Sequence, residues 1–178
     1  MNLKKFIFIN TIAIFLLCFL THFIYDFFPN NFFALLFPVN ESIWEHMKML
    51  FSTIMIYGMI EYIIYIKLRY DVHNFLFSLV IRGFLSIIIF LVFYLPIHFI
   101  LGHSMVITLI LLFLAIFIVE MISYFIKQRK NNIFLNRLSI FLIIVLFVIF
   151  GYLTYCPFKN FLFYDSVHNK YGINIEVK

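Results

Sequence analysis

Apolar residues along this chain run in long blocks broken by short polar or charged stretches, with no sustained alternation of the kind a half-buried strand shows. Blocks of about 20 residues are what a helix needs to cross the hydrocarbon core of a bilayer. Five are predicted as helical spans, at 6–28, 47–66, 75–100, 104–126 and 138–155, followed by a mixed, partly polar tail over 158–178. The expected fold is therefore all-α: a polytopic transmembrane helix bundle forming a single integral membrane domain over 1–178. The first block follows Lys4 and Lys5, in the outline of a signal peptide. No small-residue cleavage site follows and the apolar run continues past His22, so it reads as a retained span. Residues 30–40, bounded by Pro29 and Pro38, are too short to cross and, with Phe32, Phe33, Leu35, Leu36 and Phe37, too apolar for water. This segment is expected at the interface or as a short re-entrant dip, packed on other helices that satisfy its backbone.

Composition agrees and narrows the class. Of 178 residues, 65% are hydrophobic and 12% charged, with a mean hydropathy of +1.08, whereas soluble domains are roughly half apolar and a quarter charged. The 27 Phe and 11 Tyr suit lipid-facing helices. The net charge of +5 does not indicate nucleic acid, because most cations sit at span ends. One side collects Lys4, Lys5, Lys67, Arg69, Lys127, Arg129, Lys130 and Arg137; the other holds Lys48 until the tail adds Lys159, Lys170 and Lys178. The positive-inside rule then places the N-terminus in the cytoplasm and, after five spans, the C-terminal tail outside. Cys18 and Cys156 fall at different depths and offer neither a disulfide framework nor zinc spacing.

On that topology the outer ends gather His22, Asp26, Glu41, Glu45, His46, His98, His103, Asp165 and His168. His22 and Asp26, four apart, share a helical face. The run Asn40-Glu41-Ser42-Ile43-Trp44-Glu45-His46 opens a helix. Asn40 or Ser42 can cap it, Ser42-x-x-Glu45 has the capping-box spacing, Glu45 can pair with Lys48, and Trp44 is an interfacial anchor. Histidines with carboxylates are zinc-ligand chemistry. His22, Asp26, Glu41, His46 and His103 are the candidate ligands, and Glu41 and Glu45 the candidate catalytic bases. Ser104 is placed to cap the fourth span. A deeper group, Glu61, Arg82 and Glu120, shares one depth. An intramembrane charge is costly unless paired, so Arg82 is expected to face inward and pair with one or both carboxylates.

With its His22-x-x-x-Asp26 pair, its Phe37-Pro38-Val39-Asn40-Glu41-Ser42-Ile43-Trp44-Glu45-His46 block and its tail from Tyr164 to Ile173, the chain resembles a family of small bacterial multi-pass membrane proteins of unknown function. The resemblance implies a bacterial cell-membrane location and no mechanism. Glu41-x-x-x-x-His46 is loosely similar to an early motif of haemolysin III and adiponectin-receptor type intramembrane hydrolases. The late His-x-x-x-His pair of that group has no counterpart here.

Three functional readings follow. A metal-dependent hydrolase or lipid-modifying enzyme would use the outer cluster and bind zinc. A small proton-coupled transporter or channel would use Glu61, Arg82 and Glu120 and is expected to oligomerise. A non-enzymatic protein would bind a membrane protein partner and treat both clusters as capping and interhelical glue.

Overall fold

A computed structural model describes residues 3–102, 104–173 and 175–176. His103, one of the candidate ligands, lies outside the described residues. The chain forms α1 (Leu3–His22), α2 (Ile24–Phe27), α3 (Asn31–Leu36), α4 (Ile43–Lys67), α5 (Phe75–Leu101), α6 (Met105–Lys127) and α7 (Ile133–Tyr155). Three two-residue strands follow, β1 (Tyr164–Asp165), β2 (Lys170–Tyr171) and β3 (Ile175–Glu176). Five segments, Lys5–Phe27, Ile43–Lys67, Phe75–Leu101, Met105–Lys127 and Ile133–Tyr155, are long and apolar enough to cross a membrane.

Polar residues set the helix starts. Asn30 caps α3 by accepting from the Phe33 amide (3.0 Å), Ser42 caps α4 through the Glu45 amide (3.4 Å), and Asn132 caps α7 through the Leu135 amide (3.1 Å). These caps explain why α4 begins at Ile43 rather than at 47, and why α7 begins at Ile133 rather than at 138 with Arg137 on its first turns. Only half of the expected capping box forms. The Ser42 amide donates to Asn40 Oδ1 (2.9 Å), and the Glu45 carboxylate is used elsewhere. Ser104 occupies the N-cap position of α6 without a side-chain hydrogen bond to the helix. The first span is broken at Phe23, which separates α1 from the single turn of α2.

α4 is the most enclosed of the five long helices and α7 the least. Phe51, Leu50 and Ile54 of α4 meet Ile14 of α1 and Ile116 of α6 in the core, all at most 2% exposed. Gly83 lets α5 approach α4 at Phe51 and Met55. At the cation-rich end, Asn74 links two connections. Its amide donates to the carbonyls of Arg129 (3.1 Å) and Lys130 (2.9 Å), and its carbonyl accepts from the Asn132 amide (2.7 Å).

At the opposite end, α3 packs on α7, where Leu35 lies against Gly151. The tail is not a loose polar extension. β1 pairs antiparallel with β2 (Tyr164 opposite Tyr171, Asp165 opposite Lys170), and β2 with β3. The sheet is docked by Ile173 donating to the Thr154 carbonyl (3.1 Å) and by Asn40 donating to the Gly172 carbonyl (2.8 Å). Gly172 has φ +54°, and a Cβ there would collide with the Thr154 carbonyl, so only glycine fits.

Candidate functional site

The docked tail, the 37–42 loop and the ends of α1 and α4 enclose a small polar region. His22 ends α1, Glu41 sits in the loop, and His46 is in the first turn of α4. His22 Nε2 lies 3.2 Å from His46 Nε2; Glu41 Oε2 lies 3.7 Å from His22 Nε2 and 3.5 Å from His46 Nε2. These three are the described residues whose ligand atoms gather within 4.8 Å of one another. A tetrahedral zinc ion with bonds of about 2.0–2.1 Å holds its ligand atoms about 3.3–3.4 Å apart. The observed triangle needs only tenths of an ångström of adjustment to match.

The surroundings prepare His46 as a ligand. His46 Nδ1 donates to the Ser42 carbonyl at 2.9 Å, an assignment that follows because a carbonyl only accepts. That leaves the Nε2 lone pair for a metal, the usual outer-shell arrangement of a metal-bound histidine. His22 Nδ1 is buried with no hydrogen-bond partner among the described residues. Without an ion, the two Nε2 atoms face each other and one must donate to the other. An ion between them engages both lone pairs and would leave His22 Nδ1 to carry the proton.

Glu41 is positioned through its own backbone. Its amide donates to Asp165 Oδ2 (3.2 Å), and Asp165 also accepts from the amides of Val167 (2.8 Å) and His168 (3.1 Å) and from His168 Nδ1 (2.8 Å). Burial opposes ionisation of Asp165, but these donors outweigh it and hold its carboxyl below the usual carboxylate range. Beside the triangle lies a cavity of about 180 Å³ lined in part by His22, Asp26, Glu41, His168 and Lys170. Asp26, on α2, therefore faces the same space as His22 but is not part of the triangle.

Glu45 is placed apart from Glu41. Its carboxylate is 1% exposed and paired with Lys48 Nζ at 2.6 Å. It also accepts from the Val39 amide (3.1 Å) and the Thr154 hydroxyl (2.8 Å), while Lys48 donates to the Ala34 carbonyl (2.7 Å) and Thr154 Oγ1 (2.8 Å). Every member has partners, which makes this a staple joining α3, α4, α7 and the loop that carries Glu41. Trp44 stacks on Phe163 and packs at a tilt against Phe150. His98 packs against Tyr94, whose hydroxyl is 3.3 Å from His98 Nδ1.

Deeper in the bundle, Arg82 Nη1 lies 3.0 Å from Glu61 and 2.9 Å from Glu120. Sequence reading overlooked four further members, among them Tyr65, which donates to Glu61 (2.7 Å). Lys127 pairs with Glu61, and Asn10 donates to Glu61 (3.3 Å) and Glu120 (3.2 Å) while accepting from Tyr57 (2.7 Å). Two carboxylates thus face two cations. Asn10 could have been noticed as a polar residue inside an apolar span. Lys127 could not, because at a span end it reads as a topology signal.

The five membrane-length helices, with buried charges neutralised inside the bundle, define a multi-pass helical membrane protein. The chain belongs to the family of unknown function DUF6512, whose model matches residues 1–173. No curated protein and no solved structure matches it.

Proposed function

We propose that this protein is a membrane-embedded, metal-dependent hydrolase whose divalent ion, zinc by ligand type, is held by His22, Glu41 and His46. The observation that carries this reading is the triangle of 3.2, 3.5 and 3.7 Å between ligand atoms drawn from two helices and a loop. Two neutral imidazoles and one carboxylate make the three-ligand set of catalytic zinc sites, which keep a further position for water. The ion would supply a water of lowered pKa and polarise the bond to be cleaved. Asp26, on the wall of the same cavity, is the candidate to take the proton from that water, and Glu45 is assigned to structure because its buried carboxylate is fully engaged. Hydrolysis needs only water as co-reactant.

The distribution of cations supports a cell membrane with the N-terminus cytoplasmic and the metal end extracytoplasmic, in keeping with the bacterial origin the family resemblance implies. We assign Glu61, Arg82, Glu120 and Lys127 to holding the long helices together. Two carboxylates face two cations at short range, so each buried charge has a partner of opposite sign on a neighbouring helix. The test is X-ray absorption on zinc-loaded protein in detergent beside hydrolysis of an ester-lipid mixture. Two imidazoles with oxygen ligands, and turnover lost on chelation and in His22→Ala, are expected. A zinc edge without imidazole scattering, or turnover indifferent to chelation, would refute the reading.

A further inference from the structure

A metal ion at His22, Glu41 and His46 leaves two charged groups outside its ligand set on the wall of the same cavity, Asp26 from α2, the candidate base, and Lys170 from β2, which has no role in that reading. No ion pair joins them among the described residues. Among the described residues the one hydrogen bond of the Lys170 ammonium is long, 3.5 Å to the Val39 carbonyl, so its donors are largely uncommitted there. Beside it, His168 has Nδ1 engaged by Asp165 and keeps its Nε2 edge for another contact. With a divalent ion present, the ion offsets Glu41 and Asp26, the Asp165 carboxylate is engaged by the amides of Glu41, Val167 and His168 and by His168 Nδ1, and Lys170 presents its ammonium on the cavity wall.

Such a pair of positive centres suits a ligand with several anionic oxygens, one for the ion and another for the ammonium. This is how metal ions and lysines hold phosphoryl groups. A cavity of about 180 Å³ has room for a phosphate and the atoms that link it to a larger group. It opens where α1 ends and α4 begins, the level at which lipid headgroups lie if these helices cross the bilayer.

Resting on the metal reading above, we infer that the cavity binds the phosphate group of its substrate, with Lys170 as the anchor opposite the ion. The backbone of Lys170 is fixed by pairing with Asp165, the residue that also positions Glu41, so anchor and ligand share one support.

The experiment is calorimetric titration of zinc-loaded, full-length protein in detergent with inorganic phosphate, with dihexanoyl phosphatidic acid, and with dihexanoylglycerol as the phosphate-free control. Zinc content is measured on the same samples. The phosphate-bearing probes should bind and the control should not. Lys170→Gln should weaken binding at least tenfold at unchanged zinc content, and Lys170→Arg should retain it. Tighter binding of phosphatidic acid than of inorganic phosphate would name a lipid headgroup as the source, and equal binding a soluble phosphate compound. Zinc-loaded wild type that ignores both phosphate probes, or Lys170→Gln that binds like wild type, would overturn the phosphate site and leave the metal site standing. Absence of zinc would show in the metal measurement and would overturn both.

Discussion

Lys48→Met removes the cation paired, among the described residues, with a carboxylate that is 1% exposed, and it does so beneath the loop that presents Glu41. Glu45 would keep the Val39 amide and the Thr154 hydroxyl, but those dipoles do not replace an ammonium at 2.6 Å. The Ala34 carbonyl would also lose its donor. Breaking one side of a buried ion pair costs about 3–5 kcal/mol. For a chain of this size that corresponds to a fall in unfolding temperature of about 6–20 °C, taking about 2–4 °C per kcal/mol. Replacing both partners, Glu45→Gln with Lys48→Met, removes the uncompensated charge and should recover most of the loss, since neutral isosteres of buried pairs are often tolerated. The cysteines supply the assay. Cys18 is 2% exposed and should react with a thiol dye only on unfolding, whereas Cys156 is exposed and is first replaced by serine. A single variant that melts with wild type, or a double variant no better than the single, would refute the claim that this pair staples α3, α4 and α7.

Further outcomes follow from the same geometry. Asp165→Asn should weaken zinc affinity about 10–100-fold, the usual effect of losing a residue that supports a ligand, as read by competition with a chelating dye. The Asp165 carboxyl is held below its ordinary value of 3.8, so its contribution is complete above that value and is lost as pH falls through the lower folded one. Tail protection in limited proteolysis should therefore be flat from pH 7 to 5 and fall only on the acid side of about pH 4, with the acid transition absent in Asp165→Asn. Gly172→Ala, which forces a side chain into a φ of +54° and against the Thr154 carbonyl, should release the tail to protease at neutral pH while Cys18 stays protected.

Much of the bundle is legible in the sequence because a membrane span is a long signal. Twenty apolar residues mark α5 and α6 to within a residue or two of their ends. Ends set by a single cap are harder, and Asn132 and Ser42 extend α7 and α4 past the points where charged residues suggested loops. The tail sheet was not legible, because strands of two residues carry no periodicity and Asp165, Lys170 and Gly172 matter through contacts with residues more than a hundred positions away. His22, Glu41 and His46 were legible as members of one candidate set, but the separation of Glu45 from it and the support from Asp165 were not. Glu41 and Glu45, four apart, suggest one face. The loop before α4 instead turns Glu41 toward the histidines, while the helix carries Glu45 inward to Lys48.

The most direct test of the central claim is zinc content by mass spectrometry on detergent-purified wild type and on the Glu41→Ala, His46→Ala double variant, after dialysis against a weak chelator. The geometry predicts about one zinc per wild-type chain and none in the variant, with Cys18 still protected in both. Wild type without zinc, or a variant that keeps it, would contradict a metal site at His22, Glu41 and His46.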